Sequence, residues 1–138
     1  MSVEVNYVAV VLAMISSMAV GSIWYAQSVF GKKWAELAKV NMSRGGSIAG
    51  PMATTVLMSL ITAYVLAHVA YLANHFFHHS FLQDSISTAF WLWLGLTAAR
   101  FVTHDAFEGR PNRLTLLNIG NEFLTIMIMG LVIGLVGI

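Results

Sequence analysis

The chain has 138 residues, of which 58% are hydrophobic and 9% charged, and its mean hydropathy is +0.76. A water-soluble domain carries roughly 25% charged residues, so this sequence lacks the polar surface to coat a soluble globule and reads as an integral membrane protein. The net charge of +1 selects no partner, and the absence of cysteine excludes disulfides and thiolate metal sites. The few basic residues sit beside apolar spans, and no nucleic-acid-binding signature is present.

The first apolar stretch is Val5–Tyr25. A cleaved signal peptide is not expected there, because Glu4 stands where a signal carries Lys or Arg and the apolar run is too long. Ala13, Ser17 and Gly21 form a ladder of small residues along it, which lets helix backbones approach closely. In the connection that follows, Phe30, Trp34 and Leu37 of "FGKKWAELAKVN" recur at helical spacing, with Lys32, Lys33, Glu36 and Lys39 between them. This predicts a short amphipathic helix over about 30–41 in the membrane interface, its lysines near anionic lipid headgroups. "MSRGGSIAG" then gives a flexible return.

The second stretch, Pro51–Ala73, opens with a proline suited to a first helical turn. Tyr64, His68, Tyr71 and His75 follow i, i+4, i+7, i+11 on one face, and His78 and His79 continue past it, with Asp84 nearby. Imidazoles one or two turns apart can share zinc, copper or nickel, which makes His68, His75, His78 and His79 candidate metal ligands. The plain alternative is a histidine-rich interfacial loop without metal. No His-x-x-Glu-His pattern appears, and no cofactor is expected.

The third stretch, Ser87–Phe107, carries Arg100, His104 and Asp105, and the fourth is Leu114–Ile138. The short Glu108–Arg113 connection makes these two spans an antiparallel hairpin. Thr115, Asn118, Glu122 and Thr125 follow i, i+3, i+7, i+10 on one face of the fourth span, flanked by Asn121. At 1.5 Å per residue, Arg100 and Glu122 both lie about 10–12 Å from the hairpin end and are expected to pair. His104 shares the face of Arg100, whereas Asp105 lies roughly 140° around the helix and nearer the interface. The expected result is a polar seam of Arg100, His104, Asp105, Asn118, Asn121 and Glu122. Intramembrane ionisable groups either hold a bundle together as structural ion pairs or serve a proton, ion or anion site. Gly130 and Gly134, like Ala63 and Ala67, form further small ladders, and the ladders suit internal packing or a homo-oligomer interface, the latter especially at the two glycines.

Lys32, Lys33, Lys39 and Arg44 lie in the first connection and Arg110 and Arg113 in the third, with no Lys or Arg in the second connection or at either terminus. The positive-inside rule then places the first and third connections in the cytoplasm and both termini outside, in the cell's inner (plasma) membrane. The expected architecture is all-α: a single polytopic domain over 1–138, with four transmembrane helices in a bundle and a short interfacial helix between the first and second.

"GSIWYAQSVFGKKW" near the first span and "FEGRPNRLTLLNIGNEFLTIMIMG" near the C-terminus resemble a bacterial membrane family catalogued as domain of unknown function 1761. The resemblance covers essentially the whole chain. It implies four membrane helices and implies no activity. It does not extend to Glu122, where the pattern often holds histidine or another residue, so a role for Glu122 is this chain's own.

Three functions fit these features. The first is a homo-oligomeric transporter or channel for a small solute or ion, since four helices enclose little interior on their own. The second is a non-catalytic accessory, lipid-binding or scaffold protein in which the seam is a structural ion pair. The third, a membrane-embedded enzyme acting on lipid, would have to rely on His104 with Asp105 or on the second connection's histidines, and the expectation is that the chain is not an enzyme.

Overall fold

A computed structural model describes residues 3–40 and 47–138; Arg44 and most of the expected flexible return lie outside the described residues. Among the described residues the chain is helical, without strands. Helix α1 (Tyr7–Trp24) begins where Asn6, in extended backbone, accepts hydrogen bonds on its side-chain oxygen from the Val8 and Ala9 amides at 3.1 and 3.3 Å. Past Tyr25 the chain makes one π-helical turn, Gln27–Gly31, and continues into α2 (Lys32–Ala38). Lys39 ends α2 in the left-handed conformation, with its amide and that of Val40 bonding back to Glu36 and Ala35. Within the stretch 30–41, where an interfacial helix is expected, the helix is α2, shorter than that stretch, with Lys32, Lys33 and Lys39 exposed.

Helix α3 (Ala49–Phe77) holds Pro51 in its first turn and runs past Ala73 to Phe77. The broad second connection expected from the sequence contracts to His78–Ser80. His78 is left-handed, and the Ser80 hydroxyl caps α4 (Phe81–Leu92) by accepting from the Gln83 amide at 3.3 Å. The backbone stays right-handed through a π-helical segment, Trp93–Ala98, into α5 (Ala99–Glu108). Gly109 then adopts φ 65°, and the Gly109 and Arg110 amides bond to Ala106 and Asp105. This paired return of amides onto the last helical carbonyls stops α5 and aims the chain into α6 (Asn112–Val136).

Helices α1, α3 and α6 are long and apolar enough to cross a membrane. The expectation of four such helices holds only for these three. The α4–α5 run is split by its π segment and gathers Arg100, His104, Asp105 and Glu108 in its last turns.

The helices stand around a square in the order α1, α3, α4, α6, and α3 meets α6 only briefly across the diagonal. One end, called here the histidine end, carries the start of α1 and the His78–Ser80 turn. The other, the basic end, carries α2 and the Gly109–Pro111 turn. The apolar core sits toward the histidine end, built from Ala9 and Ala13 of α1, Ala63, Leu66 and Ala67 of α3, Ala89 of α4, and Met129 and Ile133 of α6. Small residues set its close spacing. A Cβ at Gly130 would lie 2.7 Å from the Ala89 Cβ, and one at Gly134 would lie 2.7 Å from the Leu82 Cα. These glycines therefore close the α4–α6 contact inside the chain, which corrects the alternative of a homo-oligomer interface for them. The ladder on α1 behaves differently along its length. Ala13 and Ser17 are buried, but a Cβ at Gly21 would meet nothing within 4 Å.

Candidate functional site

Toward the basic end the helices are tied by polar and aromatic contacts rather than by the apolar core. Trp24 packs on Phe30 with ring centroids 4.5 Å apart, and Tyr25 meets Trp34 edge-on at 5.4 Å. Gly31 is buried against the Tyr25 carbonyl, so closely that any Cβ there would overlap it. The π-helical turn thus depends on glycine at this position. The Tyr25 hydroxyl donates to Asn118 Oδ1 at 3.3 Å, and the Trp24 ring lies against Gly120. The two sequence motifs, far apart in the chain, meet at these contacts. On the other side of α6, Trp93 Nε1, in the π segment, donates to the Ile119 carbonyl at 3.1 Å and packs edge-on against Phe123.

The expected polar seam divides in two. Asp105 is buried; Thr115 Oγ1 donates to its Oδ2 at 2.6 Å, and Arg110 Nε lies 3.7 Å from its Oδ1. Arg110 also donates to Glu108 at 2.6 Å. Arg100 and His104 are exposed and line a shallow depression with Thr97, Phe101 and Glu108. Among the described residues no ion pair joins Arg100 to Glu122. The reason is rotational. Residues five apart on a helix are separated by roughly 140°, so turning Asp105 toward α6 turns Arg100 away. Asp105, rather than Arg100, is the charged group turned into the α5–α6 contact.

Asn121 and Glu122 face the other way, into a cavity of about 760 Å³ between α1, α3 and α6. Ser17, Gly21, Ser22 and Tyr25 form its α1 wall, and Thr55, Ser59 and Thr62 its α3 wall. Thr125, Ile126 and Met129 complete the α6 side, where the apolar core begins. The cavity exists because the α1 wall is built from small residues and because α3 is exposed from Ala49 to Met58. Glu122 is half-buried in this space. Two oxygens of the lining, Asn121 Oδ1 and Thr125 Oγ1, are buried without a hydrogen-bond partner among the described residues. Ser17 and Gly21 stood out in the sequence only as a packing ladder, and the α3 residues of this site did not emerge from the sequence pattern as read. A signal was present: Thr55, Ser59 and Thr62 recur at i, i+4, i+7, a hydroxyl stripe in an otherwise apolar helix.

At the histidine end, Asp84 is buried in the first turn of α4, where its carboxylate accepts from Asn74 Nδ2 at 2.8 Å and meets His79 Nδ1 at 3.0 Å. These contacts tie α3 to α4 across their short turn, with the carboxylate favourably placed at a helix N-terminus. The other candidate ligands go elsewhere. His75 stacks on Tyr71 with centroids 4.6 Å apart, and His68 lies 6.0 Å from Tyr64, its Nδ1 buried. Among the described residues no three His, Asp or Glu side chains converge as a metal site would require.

One family model matches the chain over residues 8–134, and its description reads "Protein of unknown function (DUF1761)". No curated protein matches, and no solved structure does.

Proposed function

The chain belongs to the DUF1761 family of proteins of unknown function, and from its membrane-compatible helices and its half-open cavity we propose that it is a small integral membrane protein that receives a small solute beside Glu122, as the protomer of a homo-oligomeric transporter or channel. The cavity carries this reading. It lies among α1, α3 and α6, the three helices apolar enough to stand in lipid, and it brings an ionisable side chain into contact with open space. Such groups within membranes usually face a partner or a pathway.

In this proposal the α4–α5 helix is the fourth crossing. The basic end faces the cytoplasm, because Lys32, Lys33, Lys39, Arg110 and Arg113 cluster there, and both termini lie outside in the plasma membrane. The exposed lysines rest against anionic headgroups. The bare first half of α3 borders one side of the cavity, where a second copy would close it. The alternative, an accessory or scaffold protein, drew on an Arg100–Glu122 structural pair. The structural tie of the hairpin is instead Asp105 with Thr115 and Arg110, which leaves Glu122 to the cavity. An enzymatic His104–Asp105 pair gains no support, since His104 is exposed while Asp105 is buried in the helix contact.

The test is solute flux in proteoliposomes, comparing wild type with Gly21→Leu, a variant that extends into the cavity from a position where an added Cβ meets nothing within 4 Å among the described residues. Wild type should dissipate a gradient of at least one small cationic, neutral or anionic solute, and the variant should do so about tenfold more slowly, equivalent to roughly 1.4 kcal/mol. Equal flux through both proteins, or none above protein-free liposomes, contradicts the proposal.

A further inference from the structure

We propose that the ligand of this cavity is an organic ammonium ion: a protonated amine carrying an apolar body. The proposal rests on the cavity being a solute site and adds the chemistry of the solute.

The first argument is the balance of donors and acceptors. Hydroxyls usually offer both, but here several have already placed their hydrogens on helix carbonyls. Ser17 Oγ donates to Met14 O at 2.7 Å, Thr55 Oγ1 to Pro51 O at 2.9 Å, and Thr62 Oγ1 to Met58 O at 3.0 Å. The Tyr25 hydroxyl is similarly spent on Asn118. A hydroxyl whose hydrogen is engaged presents only its lone pairs. Asn121 Oδ1, itself an acceptor, is buried with no donor among the described residues, and its residue is only 7% exposed. Glu122 adds a carboxylate, and among the described residues no Lys, Arg or His lines the cavity. With several hydroxyl hydrogens already spent on helix carbonyls and Glu122 the acidic group of the lining, the cavity suits a ligand that brings hydrogen-bond donors and positive charge. An anion or a pure acceptor would leave these oxygens unsatisfied, at roughly 1–3 kcal/mol for each buried group.

The second argument is size and surface. A volume of about 760 Å³ is far larger than a bare metal ion needs and lies within the roughly 300–1,000 Å³ usual for small-molecule sites. Met18, Met52, Met58, Ile126 and Met129 supply an apolar and adaptable lining around the polar strip. Thioether side chains accommodate varied shapes and pack well on apolar and aromatic groups. The ligand that satisfies both surfaces has a cationic N–H head toward Glu122 and Asn121 and an apolar body toward the methionines.

The experiment is isothermal titration of the full-length protein in lipid nanodiscs at neutral pH with benzylammonium, benzyl alcohol and benzoate, repeated in excess sodium and potassium chloride. The expected result is binding of benzylammonium alone, weakened about tenfold or more by Glu122→Gln, abolished by Gly21→Leu, and insensitive to the choice of alkali ion. Thermal unfolding of both variants shows whether each is folded; if Glu122→Gln does not fold, the ammonium-over-alcohol preference of the wild type decides the matter. Binding of benzyl alcohol or benzoate equal to that of benzylammonium, and lost in Gly21→Leu, overturns the ammonium assignment while leaving the cavity as a solute site. Displacement of benzylammonium by one alkali ion at equal concentration overturns it in favour of an inorganic cation. No binding of any probe overturns the ammonium assignment, and if flux is also absent the solute site falls with it.

Discussion

Thr115 donates to Asp105 at 2.6 Å across the hairpin of α5 and α6, in a buried contact that Arg110 flanks from the turn. A hydrogen bond to a carboxylate is worth roughly 1.5–3 kcal/mol, and removing the donor leaves the buried acceptor with less to satisfy it. Thr115→Val should therefore destabilise the protein by about 1.5–3 kcal/mol. In a double-mutant cycle with Asp105→Leu, measured by unfolding in mild detergent, the second substitution should cost much less in the presence of the first. Additive losses would show that this contact does not hold the hairpin.

Arg100 and Glu122 should behave in the opposite way. One lies in a depression on the outside of α5 and the other in the cavity lined by α1, α3 and α6. Residues without shared contacts add within about 0.3–0.5 kcal/mol. Arg100→Leu and Glu122→Leu are accordingly expected to be additive in stability. A coupling above about 1 kcal/mol would restore the ion pair that the sequence suggested.

Two glycines give a matched pair of opposite sign. At Gly130 a methyl group would lie 2.7 Å from the Ala89 Cβ, while at Gly21 it would meet nothing within 4 Å. Gly130→Ala should cost about 1–3 kcal/mol through overpacking of α4 against α6. Gly21→Ala should be neutral or stabilising by roughly 0.5–1 kcal/mol, from the lower entropy cost of alanine in a helix. Thermal unfolding of the two variants side by side checks both signs.

The orientation is open to labelling, and the chain's lack of cysteine gives a clean background. A cysteine at Ser80 should react with a membrane-impermeant maleimide on intact cells, and one at Lys33 should react only after permeabilisation. The reverse pattern would place the basic end outside.

The apolar runs made the long helices legible, because α1, α3 and α6 need little besides length and apolarity. Their ends were less so. His75, Phe76 and Phe77 carry polar and interfacial character but nothing that breaks a helix, so α3 runs on to the left-handed His78. Ser80 then starts α4 well before Ser87, where the continuous apolar stretch begins. The polar stripe on α6 was visible in its spacing, and both Asn121 and Glu122 line the cavity. What spacing could not decide was the rotation of α5. Arg100 and Asp105 are both costly in lipid, and which of them turned inward depended on Thr115 and Arg110, partners contributed from beyond the helix. The cavity walls on α1 and α3 were hidden for a related reason. Small and hydroxylated residues serve equally for close packing and for lining a space, and only the divergence of α3 from its neighbours separates the two uses.

The most direct test of the account is the accessibility of the cavity itself. Ser59→Cys places a thiol on its α3 wall. In inside-out membrane vesicles a small, membrane-impermeant, cationic methanethiosulfonate should modify that cysteine, and the added Gly21→Leu substitution should slow the reaction about tenfold, equivalent to roughly 1.4 kcal/mol in the barrier. No modification from the cytoplasmic face, or a rate indifferent to Gly21→Leu, would mean that the space beside Glu122 is closed to water and that the protein does not take a solute there.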